Sequence, residues 1–103
     1  MKRNITEFAT VIRSKNSGPY ELTLDIIFKD PASYALWQRK RVITPRKMAS
    51  LYGVDAKDIK KIIWFEPAHA VKCTMKKPIP SGNLGERDIY GAQQHAPLLE
   101  LSL

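Results

Sequence analysis

Hydrophobic and polar residues alternate most strictly between positions 20 and 29 of the chain. Apolar side chains occupy every second position, and the positions between them are mostly polar. A period of two places one face of an extended segment against a hydrophobic core. The pattern therefore predicts a β-strand with the core positions Tyr20, Leu22, Leu24, Ile26 and Phe28.

Other segments show shorter extended patterns. Residues 10–13 read as extended and lead into a loop over 14–19, which is rich in turn-forming residues. The wholly apolar run 62–65 predicts a buried strand. Residues 69–76 and 98–103 alternate between apolar and polar, and each predicts a strand with one buried face. In the last of these the predicted core positions are Leu99, Leu101 and Leu103.

Two helices are predicted from their first residues. In each case an N-cap side chain precedes a proline at the first helical position, in Asp30-Pro31 and in Thr44-Pro45. The second helix is expected to end at Gly53, because glycine readily adopts the left-handed conformation that closes many helices.

These elements predict an α+β fold. A mainly antiparallel sheet of four or five strands would carry the helices on one face, which makes a two-layer sandwich. The length of 103 residues suits a single domain over 1–103. The segment 77–97 shows no clear periodicity, and long segments of this kind are often functional.

Length and composition exclude several protein classes. No apolar run approaches the roughly 18 residues of a membrane-spanning helix, and the basic N-terminus lacks the apolar stretch of a signal peptide. Cys73 is the only cysteine, so an internal disulfide is excluded. We therefore expect a cytoplasmic protein without a membrane partner.

The net charge of +7 indicates an acidic partner. Nucleic acid, a carboxylate or phosphate ligand and an acidic protein surface all fit that charge, and so does an ordinary solvated surface. Proteins that bind single strands combine basic residues with exposed aromatic rings on a sheet. Here the sequence argues against nucleic acid, because we assign Tyr20, Phe28, Trp64 and Phe65 to core faces.

The first candidate site is the predicted loop after residue 12. Within six residues it offers a guanidinium, a lysine, hydroxyl and amide groups, and a glycine that lets backbone N–H groups approach a ligand. Such a set can hold a phosphate or carboxylate. An ordinary polar turn remains the alternative. The candidate ligand-binding residues are Arg13, Ser14, Lys15, Asn16 and Gly18.

The second candidate site is the segment 88–97, where Gln93, Gln94 and His95 are adjacent. The amides can donate to and accept from a bound carbonyl, and histidine titrates near neutral pH. His95 is therefore the candidate catalytic acid–base, with ligand binding as the alternative role. His69 and Cys73 supply too few ligands for a metal, so the sequence predicts neither a metal site nor a cofactor.

Residues 13–25 (RSKNSGPYELTLD) and 90–99 (YGAQQHAPLL) resemble a bacterial family of similar length and unknown function. That family is similar in turn to the small C-terminal domain of acyclic-terpene-utilisation (AtuA-like) proteins, where an arginine and a serine correspond to Arg13 and Ser14. The resemblance implies a ferredoxin-like fold. It also implies a small subunit that completes a larger AtuA-like protein in acyl-CoA or organic-acid catabolism.

We therefore expect residues 13–19 and 88–97 to converge at one edge of the sheet. There they would form a site for a carboxylate, a CoA thioester or the surface of the partner. A free-standing enzyme that uses His95 and a basic nucleic-acid-binding module are the alternative functions. Whether the chain is catalytic and whether it forms a homo-oligomer stay open at this point.

Overall fold

The structure is a computed structural model that describes residues 3–18, 21–76 and 96–103. In this part of the chain two strands precede two α-helices, and two further strands follow them. The elements are β1 (Ala9–Gly18), β2 (Glu21–Phe28), α1 (Pro31–Lys40), α2 (Pro45–Tyr52), β3 (Ile59–Phe65) and β4 (Ala70–Lys76). Short 3₁₀ helices lie at Ile5–Glu7, Ala56–Asp58, Glu66–Ala68 and Ala96–Glu100.

The strands form one antiparallel sheet in the order β1-β2-β4-β3. Consequently β2 and β4 are central, and β1 and β3 are the edges of the described sheet. With two helices on the sheet, the α+β prediction is confirmed, and the arrangement is compatible with a two-layer ferredoxin-like sandwich. No α-helix in the described ranges is long and apolar enough to cross a membrane.

The core lies between the sheet and the helices. The predicted core positions Leu22, Leu24, Ile26 and Phe28 of β2 are buried, because every second residue of that strand is directed at the helices. Tyr20, the first predicted core position, lies outside the described residues. Trp37 of α1 is fully buried and lies against the rings of Phe8 and Phe28, with centroids 5.6 Å and 6.1 Å away. Aromatic rings in such offset and edge-on contacts add to the burial of their area. The rest of the β2 and β4 core is Leu22, Leu24, Ile26, Val71, Cys73 and Met75.

Both helices begin where their caps predict. The Asp30 carboxylate accepts a hydrogen bond from the Ser33 N–H at 2.7 Å, and Thr44 Oγ1 accepts from the Lys47 N–H at 3.2 Å. Hydrogen bonding from Ser33 holds the pKa of Asp30 below its ordinary value of 3.8. Gly53 ends α2 with a φ of 66°, in the left-handed region.

The predicted loop over 14–19 is wrong up to residue 18. Instead, β1 continues to Gly18, and Ser14, Lys15 and Asn16 pair with residues of β2. Turn-forming residues are tolerated there because β1 is an edge strand that needs a neighbour on one side only. The pairing of β1 with β2 becomes irregular between Asn16 and Gly18, at the end of the strand where turn-forming residues follow one another.

The predicted burial of the run 62–65 is also wrong. These residues do form a strand, but β3 lies at the edge of the sheet. Ile63 is 43% exposed and Phe65 is 56% exposed. Apolar runs of this length do not reveal which side of a strand is covered, because coverage depends on the order of strands in the sheet.

The C-terminal segment is not the predicted strand. Residues 96–100 form a 3₁₀ helix, and Ser102 makes an isolated bridge to Asn4. In a helix of three residues per turn, positions three apart share a face. Leu98 and Leu101 are therefore buried, whereas Leu99 is 40% exposed.

The strand predicted over 69–76 is present as β4, but it begins one residue later than predicted. His69 precedes β4 in a left-handed conformation with a φ of 51°. The predicted core positions Val71, Cys73 and Met75 are buried, and Thr74 between the last two is buried as well. Most of the segment 77–97, from 77 to 95, lies outside the described residues.

Candidate functional site

The face of the sheet opposite the helices carries the cations of the strands. Side chains alternate along a strand, and residues paired across antiparallel strands share a face. Because Leu24 and its β4 partner Cys73 face the core, Asp25 and its partner Lys72 lie on the opposite face. We call this surface the basic sheet face, and its cations are Arg13, Lys15, Lys60, Lys61, Lys72 and Lys76. Lys60 lies at an irregularity of the β3 pairing and joins this face through its ion pair with Glu21.

The register sets these cations in rows across the sheet. One row runs from Arg13 through Asp25 and Lys72 to Ile63. The next row begins at Lys15, passes through two threonines and ends at Lys61. Adjacent strands lie about 4.8 Å apart, so each row spans roughly 14 Å.

Acidic groups on this face are already paired. Arg13 Nε lies 3.4 Å from Asp25 Oδ2, and Lys60 Nζ lies 2.6 Å from Glu21 Oε2. The remaining cations form no ion pair with any described residue, and they are Lys15, Lys61, Lys72 and Lys76. An excess of exposed positive charge attracts a negatively charged partner.

An open groove of about 270 Å³ lies beside the Arg13–Asp25 pair. It is lined by Asp25, Ile63, Phe65, Ala70 and Lys72. Pockets that enclose small ligands usually span about 300–1,000 Å³, and this groove lies below that range. Its apolar residues next to Lys72 suit contact with a chain or surface that carries both apolar and acidic groups.

The first set of predicted ligand residues is divided between the two faces of the sheet. Arg13 and Lys15 lie on the basic sheet face. Ser14 is buried, and Asn16 is partly buried, on the side of the helices. The sequence predicts that these residues lie together in one loop. Because β1 continues to Gly18, successive side chains point to opposite faces of the sheet instead. A ligand-binding role for these residues stays a prediction.

The second set of predicted residues, Gln93, Gln94 and His95, lies outside the described residues. Their convergence with residues 13–19 therefore stays a prediction, as does a catalytic role for His95.

A family profile described as a domain of unknown function, DUF4387, matches residues 5–102. The chain belongs to this family. No curated protein and no solved structure matches it.

Buried titratable groups of this DUF4387 chain lie in its core. Burial raises the pKa of the Cys73 thiol to about 12 and raises the pKa of the Tyr52 hydroxyl. His69 lies beside the ring of Tyr34, with centroids 6.2 Å apart, and is only partly buried. Residues 3–18, 21–76 and 96–103 contain no group of three or more potential metal ligands.

Cys73 is expected to resist alkylation in the folded protein. The thiolate is the reactive form, and a pKa near 12 leaves roughly a thousandfold less thiolate at pH 8 than an ordinary thiol has. Iodoacetamide labelling followed by mass spectrometry should give negligible modification without denaturant and full modification in urea. Rapid labelling of the native protein would contradict the buried position of Cys73.

Sequence reasoning missed two parts of this surface. Lys61 and Lys72 were not among the predicted ligand-binding residues, because their place on this face depends on how β3 and β2 pair with β4. Phe65 was assigned to the core, although it is exposed on the basic sheet face. The Glu66-Pro67 boundary directly after it was the available signal that the strand ends at a surface.

Proposed function

We propose that this chain is a small partner subunit that presents its basic sheet face to acidic groups of a larger AtuA-like protein. The observation that supports the proposal is the set of lysines that form no ion pair with any described residue and lie beside exposed apolar residues on one sheet face. Interfaces of this kind combine an apolar centre with a charged rim. The association with acyl-CoA or organic-acid catabolism comes from the similarity between the bacterial family that residues 13–25 and 90–99 resemble and the small C-terminal domain of AtuA-like proteins.

Cations on the helices support the proposal less well. Arg39 and Lys40 occupy the last turn of α1, where positive charge stabilises the helix through its dipole. Their presence therefore has a structural explanation. By contrast, Lys72 lines the groove that contains Ile63 and Phe65, and the fold itself does not require that charge.

The ligand chemistry that suits this face is a carboxylate. Lys15 and Lys72 can each donate to a carboxylate oxygen, and such charge-assisted hydrogen bonds are stronger than neutral ones. A carboxylate on the partner surface and the acid group of a small substrate held between the subunits share this chemistry. A CoA thioester would offer phosphates to the same lysines. The proposal assigns no reaction to the chain alone.

Co-expression with an AtuA-like protein of the same genome tests the proposal. We expect the two chains to co-elute in size-exclusion chromatography at physiological salt and to separate as salt rises, because screening weakens contacts between charges. Isothermal titration with acetyl-CoA and with citrate, on the chain and on the complex, then shows whether a small anion shares the surface. Separate elution at every salt concentration would contradict the partner role.

Exposure of Phe65 favours a second candidate, a nucleic-acid-binding module. An exposed ring on a sheet face that carries lysines is the arrangement used to stack single-stranded bases. This function predicts that mixed oligonucleotides bind at low salt and that affinity falls steeply with salt. Fluorescence anisotropy with a labelled oligonucleotide tests it, and absence of binding at low salt excludes it.

A further inference from the structure

The second half of β3 is an unprotected sheet edge. No described strand lies beyond β3 in the order β1-β2-β4-β3, so part of its N–H and C=O groups face outward. Residues 62–65 are all apolar, and they are rich in β-branched and aromatic side chains that favour pairing. Ile63 and Phe65 are exposed on one face, and Ile62 and Trp64 are only partly buried on the other.

The opposite edge of the sheet is protected in the usual way. The middle of β1 presents Arg13 and Lys15, and in an antiparallel pairing of two copies these cations would meet one another. Charged side chains on an edge strand discourage pairing with another chain. The half of β3 that spans residues 62–65 has no such charge.

Charges flank the apolar run of β3 asymmetrically. Lys60 and Lys61 precede it, and Glu66 follows it. When two copies of a strand pair antiparallel about a two-fold axis, the start of one strand meets the end of the other. The basic end of one copy therefore lies against the acidic end of its partner, so the segment complements itself in charge as well as in apolar character.

We infer that two copies of this chain associate through β3 and form a continuous eight-stranded antiparallel sheet. Side-chain alternation requires that paired residues share a face. A two-fold axis at Ile63 meets this condition. It places Ile63 opposite its own copy, Ile62 opposite Trp64, and Lys61 opposite Phe65, next to Glu66 of the other copy.

This dimer would leave the basic sheet face available. The axis runs perpendicular to the sheet, so both helix layers lie on one side and both basic faces lie on the other. The dimer does not depend on the proposed partner subunit. A monomeric chain that still co-elutes with an AtuA-like protein would overturn the dimer alone.

The first test of the inference is a measurement of the oligomeric state of the chain in solution. Sedimentation velocity of the full chain should show a species of twice 11.7 kDa, with a dimer fraction that rises with concentration over about 10–500 µM. Ile63→Lys places a charge at the axis and should reduce the dimer fraction at least about tenfold. Val11→Lys also replaces an apolar β-branched residue by lysine, on the same face of the opposite edge strand. It should leave the dimer fraction unchanged.

Cysteine cross-linking tests the register. In Ile63→Cys the two thiols would lie within disulfide distance, because directly opposed residues have Cα atoms about 4.5–5.5 Å apart. Phe65→Cys lies on the same strand and face, but its copies would be roughly 14 Å apart along the strand direction. We expect oxidation to give a cross-linked dimer for Ile63→Cys at least about tenfold in excess of that for Phe65→Cys.

Cys73 does not complicate the result, because it is buried. Circular dichroism confirms that each variant is folded. A monomer at every concentration, or equal cross-linking of the two cysteine variants, overturns the inference.

Discussion

Trp37→Ala is expected to lower the free energy of unfolding by about 3–5 kcal/mol, as large-to-small changes of a buried aromatic residue do. Trp37 is completely buried between the helix layer and the sheet. Its ring packs edge-on against Phe8 and lies against Phe28 with the two planes 30° apart. Small domains have unfolding free energies of about 5–15 kcal/mol, so this single change removes a large part of the total.

A second substitution at position 37 tests the contribution of the buried indole N–H. Trp37 Nε1 is buried and finds no hydrogen-bond partner in the described part of the chain. A buried donor without a partner costs about 1–3 kcal/mol. Trp37→Phe removes that donor while keeping most of the apolar contact, so it should destabilise the protein much less than Trp37→Ala.

Urea unfolding followed by circular dichroism measures both effects. Leu99→Ala is the control, because Leu99 is 40% exposed and surface changes usually stay within about 0.5 kcal/mol. A loss at Leu99 equal to that at Trp37 would contradict both the core and the 3₁₀ conformation of residues 96–100.

The double variant Lys15→Glu/Lys72→Glu is expected to weaken binding to an AtuA-like partner by about 10–100-fold. An exposed ion pair contributes about 0.2–1 kcal/mol, and reversing the charge adds repulsion to that loss. Both lysines lie on the basic sheet face without an ion pair to any described residue. Lys72 is paired in register with Asp25, so Lys72→Glu sets two carboxylates side by side and should lower the free energy of unfolding by about 0.2–1 kcal/mol, which leaves the chain folded. Most of the loss of affinity should appear in the association rate, because electrostatic attraction acts before contact.

Lys40→Glu/Lys47→Glu on the helix layer is the matched control. It changes the net charge by the same amount. One substitution lies at the end of α1 and the other at the start of α2, so their effects on the two helix dipoles oppose each other. Equal weakening by both double variants would mean that net charge matters and that the basic sheet face does not.

Local patterns predicted the parts of the fold that depend on local rules. The alternation in β2 predicted its buried face. The pairs Asp30-Pro31 and Thr44-Pro45 predicted both helix starts, because capping and proline geometry act within a few residues. The hydrophobic positions of β4 followed from the same period of two.

The sequence-based predictions were wrong where conformation or burial depends on pairing between strands that are distant in the sequence. Ser14 and Asn16 favour turns, yet they lie in a strand because β2 offers a partner along its whole length. Phe65 is apolar, yet it is exposed because it lies on the sheet face opposite the helices and β3 is the last strand in the described sheet. Neither result can be predicted from a short stretch of sequence, because both depend on the order of the strands in the sheet.

The same limit applies to the candidate site. Arg13 and Lys15 stood out from the sequence, whereas Lys72 joins them only because Asp25 pairs with Arg13 on one side and Lys72 on the other. Predicting this surface required the register of three strands. The expected contribution of Gln93, Gln94 and His95 stays a prediction.

The most direct test of the central claim is a map of the partner contact by NMR. Amide chemical shifts of the ¹⁵N-labelled chain are recorded with and without an unlabelled AtuA-like protein of the same genome. We expect the largest changes at Arg13, Lys15, Lys61 and Lys72 and in the groove at Ile63 and Phe65. Changes confined to α1 and α2, or no change in the strands, would contradict the claim.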